Sequence, residues 1–151
     1  VVVSIDHREF NCYKGKVREQ NNSLLVNDTY YTIYKFMVCG TYIYLVHVHY
    51  PLSSSTGADH HEDGYNEIIN TVSGLVNVVI FGDLNTTDVS VFTSKGYSVA
   101  NDNTPTHGNM ILDWVLYKGS ITISNFRVIQ ATELSDHNPV KFTIQFDSPF
   151  A

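Results

Sequence analysis

The stretch VNVVIFGDLN, Val76 to Asn85, narrows the folds open to this chain more than any other. It is a short continuous apolar run stopped by Gly82, the pattern of a strand buried on both faces. Just ahead of it, ADHHEDGYNEIINTVSGL sets Tyr65, Ile68, Ile69, Val72 and Leu75 on one face of a helix, with Asp59 expected as its N-cap. Before that helix, YYTIYKFMV (Tyr30 to Val38) and TYIYLVHVH (Thr41 to His49) flank Cys39-Gly40, which marks two antiparallel strands joined by a tight hairpin. A strand, a helix and a strand in that order predict a layered α/β domain. Further strands are expected at LDWVLY, SITISNFRV and PVKFTIQF, so strands outnumber helices. The chain opens on VVVSID, a strand-like run with no lead-in and no initiator Met, from which a preceding segment is expected in the natural protein.

Size and charge bound the rest. At 151 residues and 43% hydrophobic content, one compact domain over 1–151 is expected. Nine basic against fifteen acidic residues give a net charge of -6, so no basic surface drives non-specific phosphate binding. A nucleic-acid partner must then be argued from a site or a bound cation. The longest apolar runs are too short to span a bilayer and no signal-like segment opens the chain, so a soluble protein without a membrane span is expected. Cys12 and Cys39 are too few for a disulfide framework, and their pairing is open. Sequons at Asn21, Asn27 and Asn85 leave the compartment open in a chain this rich in Asn, Ser and Thr.

The chemistry gathers at strand ends. In FGDLN, Asp83 and Asn85 follow a buried strand two residues apart, where alternation aims both side chains to one side. LVHVH sets His47 and His49 on one face in the same way. LDWVL holds a lone Asp113 in an apolar run, where an unpaired charge is costly, so a partner is expected and His137 is the candidate. His137 belongs to ELSDHNPVKF, where Ser135, Asp136, His137 and Asn138 crowd together ahead of the last strand. Turn chemistry alone could account for that crowding, and equally for Asp83-Leu84-Asn85 after Gly82.

Taken together, GDLN, LDWVL and SDHNPV in that order, with a histidine closing the strand before the helix, resemble the endonuclease/exonuclease/phosphatase family. The resemblance covers about Val1 to Phe146. It implies a deoxyribonuclease I-like fold, a layered α/β β-sandwich with flanking helices, and a divalent-metal-dependent phosphoesterase, with nuclease as the default activity. Asp83 is implied to orient or deprotonate the attacking water and to help hold the metal, and Asn85 to hold a phosphate oxygen or help fix the metal. Asp136 is implied to lie by the metal. His137 is implied to contact the scissile phosphate, its ring oriented by Asp113, and His49 to be the general acid. Thr106, in TPTHGNM, is implied to hydrogen-bond a substrate phosphate, with an ordinary loop threonine as the alternative. His49 stands where AP endonucleases place a tyrosine, with Pro51 retained, which tilts the reading toward deoxyribonuclease-like or phosphatase-like members.

The same need follows from chemistry. Phosphodiester cleavage requires a positioned nucleophile, neutralisation of developing negative charge and a proton for the leaving alkoxide. Carboxylates alone would repel the substrate, whereas a divalent cation inverts the local sign, and oxygen ligands such as Asp83, Asn85 and Asp136 suit Mg²⁺ or Mn²⁺ better than zinc. His47 is expected as a site-wall or structural histidine, His60 and His61 as solvated, and Trp114 as core.

The chain also departs from the family. An Asn-bearing strand and a strand ending in a metal-binding Glu are not found, and Asp6, Glu9 and Glu19 sit in no matching motif. The expectation is the C-terminal two-thirds of such a domain, with the N-terminal part supplied by a preceding segment or a second polypeptide. The alternatives are a reduced form kept as a binding module, or a phosphatase of a phosphorylated lipid or inositol. A zinc hydrolase is weaker still, because His47-Val48-His49 is followed by Asp59-His60 ten residues on instead of in a tight HxHxDH. The loops PLSSSTGADHHEDG and NDNTPTHGNM are the expected substrate selectors, without a diagnostic pattern.

Overall fold

The computed structural model describes residues 23–27, 31–38, 40–50, 58–131 and 133–146. Among the described residues, eight strands and two helices form in the order β1 (Ser23–Asn27), β2 (Tyr31–Val38), β3 (Thr41–His49), α1 (Ala58–Thr71), β4 (Val78–Asp83), α2 (Ser90–Thr93), β5 (Ser98–Val99), β6 (Asp113–Lys118), β7 (Ile121–Val128) and β8 (Val140–Phe146). A six-stranded sheet runs β1-β2-β3-β4-β6-β5, and β7 and β8 make a separate two-stranded sheet. The β2–β3 hairpin turns at Gly40, whose φ of 76° is a conformation that glycine adopts at no steric cost. Among the described residues β3 and β4 are the one parallel pair of this sheet, as the α1 crossover between them requires.

Burial explains the layers. One face of the large sheet presents Ile33, Val46, Val48, Val78 and Ile80 to a core completed by Tyr65, Ile68, Ile69 and Val72 of α1 and by Phe92 of α2. The other face presents Ile43, Leu45, Val79 and Val115 to the β7–β8 hairpin, which covers them with Ile121, Ile123, Phe142 and Ile144. β4 feeds both cores by strict alternation, with Val78 and Ile80 to one side and Val79 and Phe81 to the other, as its unbroken apolar run predicts. Helices, large sheet and hairpin thus stack as three layers.

Several details differ from expectation. SLLVN pairs with β2 as an edge strand inside a stretch expected as polar loop. α2 and β5 are too short to leave a periodic signature. α1 begins at Ala58, which puts Asp59 inside the first turn and not at the cap. VVVSID, the acids Asp6, Glu9 and Glu19, both cysteines, the Asn21 sequon, Pro51 and the side chains of His60 and His61 lie outside the described residues.

Candidate active site

Strand register assembles the first three groups. His49 of β3 pairs with Asp83 of β4, and Asp83 pairs with Asp113 of β6, so one row crosses three adjacent strands. By the period of two, these side chains share the face of Leu45, Val79 and Val115, which is the face toward the hairpin. Deeper along the strands that face is apolar and packed; at this end it turns polar where the cover stops. His137 enters from the segment that leads into β8, and its Nδ1 lies 2.7 Å from Asp113 Oδ2. Its Nε2 lies 3.7 Å from Asp83 Oδ2, and His49 Nε2 lies 3.9 Å from the same oxygen.

Local structure holds the row in place. Gly82 has φ 126°, and a Cβ there would stand 2.2 Å from the carbonyl oxygen of Val48, so only glycine lets β4 run against β3 at this point. The next turn folds back on Asp83: Asn85, at φ 50°, donates its backbone N–H to Asp83 Oδ1 at 2.8 Å. Its amide nitrogen lies 3.3 Å from Asp83 Oδ2 and also donates to the Tyr50 carbonyl. The Tyr65 hydroxyl of α1 donates to the Leu84 carbonyl, fixing the same turn from below. On the other side, Asn101 donates to the Asp113 carbonyl at 3.0 Å and accepts from the Val115 N–H at 2.8 Å, which pins the start of β6.

Burial sets the charges. Asp83 is 6% exposed, and desolvation raises its carboxyl above the usual range, with the neighbouring Asp113 charge adding to the rise. The Asn85 N–H, His137 and His49 act in the opposite sense. His137 ends above its ordinary value of 6.5: burial alone would lower it, but the hydrogen bond and charge of Asp113 outweigh that, with help from Asp83 and Asp136. Burial lowers His47, whose ring stacks on Phe81 at 5.2 Å. Trp114 packs against the helix-side core and donates its indole N–H to the Thr86 carbonyl at 2.8 Å.

His49, Asp83, Asn85, Asp113 and His137 are thus brought together. Thr106 is placed differently: its side chain is fully buried, and its hydroxyl oxygen accepts the N–H groups of Leu112 and Asp113 at 3.0 Å each. That location gives a substrate phosphate no surface to meet, and the threonine instead sets the entry into β6. Asp136 does not join Asp83. Its side chain is 82% exposed and lies 3.5 Å from Nε2 of His107, a residue that sequence reasoning passed over because nothing in TPTHGNM marks it. Asn138 was also not singled out for a role: its N–H donates to the Thr106 carbonyl at 2.8 Å, and its side chain accepts from Ala131 N–H at 3.1 Å. It ties the His137 segment to the loop ahead of β6.

Asp83, Asp113 and His137 offer ligand atoms within 4.8 Å of one another. Two carboxylates in register, one of them raised by burial and further by the other's charge, are a donor set that a hard divalent cation would relieve, and such an ion needs only one or two protein carboxylates when phosphate supplies further oxygens. The residues present fit that group, with Asp83 as its principal ligand because Asp113 is already bound to His137.

The model of the Endonuclease/Exonuclease/phosphatase family matches residues 6–137. No curated protein matches the sequence. Among solved structures, the endonuclease domain of TRAS1, a telomere-specific non-LTR retrotransposon, superimposes with a TM-score of 0.67 at 14% identity, covering 86% of this chain and 70% of its own. A humanized D. rerio TDP2 carrying 14 mutations gives a TM-score of 0.65 at 13% identity, over 86% of this chain and 67% of its own. The Bacteroides thetaiotaomicron mannosyl-6-phosphatase Bt3783 gives 0.58 at 12% identity, over 85% and 69%. This chain therefore spans about two-thirds of the length of these neighbours.

Proposed function

The chain belongs to the endonuclease/exonuclease/phosphatase family, and from that premise we propose that it is a divalent-metal-dependent phosphoesterase that hydrolyses nucleic-acid phosphodiesters by in-line attack of water. The observation that carries the reading is the Asp113–His137 pair at 2.7 Å, set beside Asp83 with His49 across the same oxygen. Asp83, held by the Asn85 N–H and set beside His137 and His49, is placed to orient the water and take its proton. His137, kept above its ordinary value and fixed through Nδ1, presents Nε2–H to a phosphate oxygen as charge develops. Asp113 fixes that ring's orientation. His49, the exposed member, gives a proton to the leaving oxygen. Asn85 holds Asp83 through its backbone and amide N–H groups, and Thr106 acts on Asp113 through the backbone. Asp83 would hold a divalent cation of the Mg²⁺ or Mn²⁺ kind, which would supply charge neutralisation at the phosphate.

A nucleic-acid diester is favoured by the likeness to an endonuclease domain, and a phosphomonoester is the second reading because a neighbour is named a mannosyl-6-phosphatase. The test is hydrolysis of a generic diester, a generic monoester, and single- and double-stranded nucleic acid, with Mg²⁺ or Mn²⁺ against EDTA. Metal-dependent diester cleavage that falls at least about a hundredfold in His137→Ala supports the proposal. Monoester hydrolysis alone would move the assignment to a phosphatase, and no hydrolysis by the folded chain would leave a binding module or a chain that needs a further segment.

A further inference from the structure

Beyond the acidic row lies a second set of ligand atoms. His107 from the loop ahead of β6, and Asp136 and His137 from the segment ahead of β8, offer donors that all lie within 4.8 Å of one another. We propose that His107, Asp136 and His137 form a transition-metal site, of the Zn²⁺ class, whose occupancy shuts the phosphoesterase by taking His137 Nε2. The binding half rests on these side chains alone; the inhibitory half rests on the phosphoesterase reading above.

Donor chemistry separates this set from the first. Two imidazoles and one carboxylate match zinc-type ions, whereas the carboxylate pair at Asp83 and Asp113 matches a hard cation. Spacing agrees. His107 Nε2 and Asp136 Oδ2 are 3.5 Å apart, long for a hydrogen bond between them. Ligands at roughly 2.0–2.2 Å from a tetrahedral ion stand about 3.3–3.5 Å from each other. The imidazoles are also pre-positioned. His107 and His137 are partnered across an isolated antiparallel bridge, the Asn138 N–H donates to the Thr106 carbonyl at 2.8 Å, and the two rings lie 4.6 Å apart. His137 Nδ1 is held by Asp113, which is the carboxylate–histidine arrangement that fixes a ligating tautomer and leaves Nε2 as the free donor. The same Nε2 faces Asp83 at 3.7 Å, so an ion bound there withdraws it from the phosphate position. Three protein ligands leave a fourth position for water.

The test uses the full chain, stripped of metal and shown folded by circular dichroism. Zn²⁺ titration by calorimetry and Co²⁺ visible absorption are compared for the wild type, His107→Ala and Asp136→Asn, with His60→Ala and His61→Ala as controls for stray histidine binding. One equivalent that weakens more than about tenfold in the first two variants, and holds in the controls, supports the site. Unchanged affinity in His107→Ala overturns it. In the activity arm, Zn²⁺ at its measured Kd, over excess Mg²⁺, should roughly halve hydrolysis by the wild type and leave His107→Ala close to its uninhibited rate; binding without inhibition overturns the regulatory half. Should the wild type show no Mg²⁺-supported hydrolysis, the inhibitory half falls with the activity of this chain, while the binding arm still decides the site.

Discussion

At the scale of single residues, the site depends on Asp113 more than its sequence setting suggests. It touches no bulk solvent beyond a narrow window, with 17% of its side chain exposed, and its one strong partner is His137. Asp113→Asn should therefore keep the fold and lower kcat by about 10²–10⁴ with little change in KM, since it removes orientation and not binding. Steady-state kinetics on a diester checks this; equal losses in KM would contradict an orienting role. The pair also sets a pH dependence of stability. Because His137 is raised in the folded state, its contribution is fully present below about 6.5 and fades as pH climbs through the higher folded value. Urea midpoints should fall on going from pH 6 to pH 9 in the wild type, and this component of the fall should vanish in His137→Gln. These two residues were legible because an Asp in an apolar run demands a partner and SDHN supplies one. His107 was not, since only a bridge between distant segments brings it to His137. Thr106 was legible as a position but not as a role, because backbone geometry decides where its hydroxyl points.

At the scale of elements, the β3–α1–β4 unit carries the site, and Gly82 is where its two strands meet most closely. Gly82→Ala would force a Cβ to 2.2 Å from the Val48 carbonyl at φ 126°, so it should cost more than about 3 kcal/mol and displace Asp83. Gly74→Ala makes the contrast: its φ is 82° but nothing lies within 4 Å, so only the strain of about 1–2 kcal/mol applies. Denaturant melts of both variants test the difference, and equal losses would mean that the close approach at Gly82 relaxes freely. The longer elements could be read from the sequence because their burial is periodic: α1 buries Tyr65, Ile68, Ile69 and Val72, and β4 is apolar on both faces. β1 could not, because SLLVN lies among Asn-rich polar residues and owes its strand state to the open edge of β2. Tertiary pairing overrides weak local preference at such edges.

At the scale of the whole molecule, charge and layering pull on function in different ways. The three layers leave the polar row at one end of the large sheet, where the hairpin cover stops, with His49 as its exposed member and Asp136 exposed outside it, so on the proposed reading a substrate would approach along the sheet face past these two side chains. It would approach a chain with a net charge of -6, in which fifteen acidic residues outnumber nine basic ones and oppose a long run of phosphates. A protein that covers 6–10 phosphates with Lys and Arg loses about 10³–10⁵ in affinity between roughly 50 and 200 mM salt. This chain should behave otherwise: if contact is confined to the scissile phosphate and its immediate neighbours, as the acidic excess implies, KM for an oligonucleotide at saturating Mg²⁺ should change less than about tenfold across that range. Replacing Mg²⁺ with EDTA should abolish hydrolysis at every salt concentration, since the acidic row then repels the phosphate without offset. A steep rise of KM with salt would instead place an extended phosphate track on the protein, and the residues forming it would have to be sought away from the row of His49, Asp83 and Asp113.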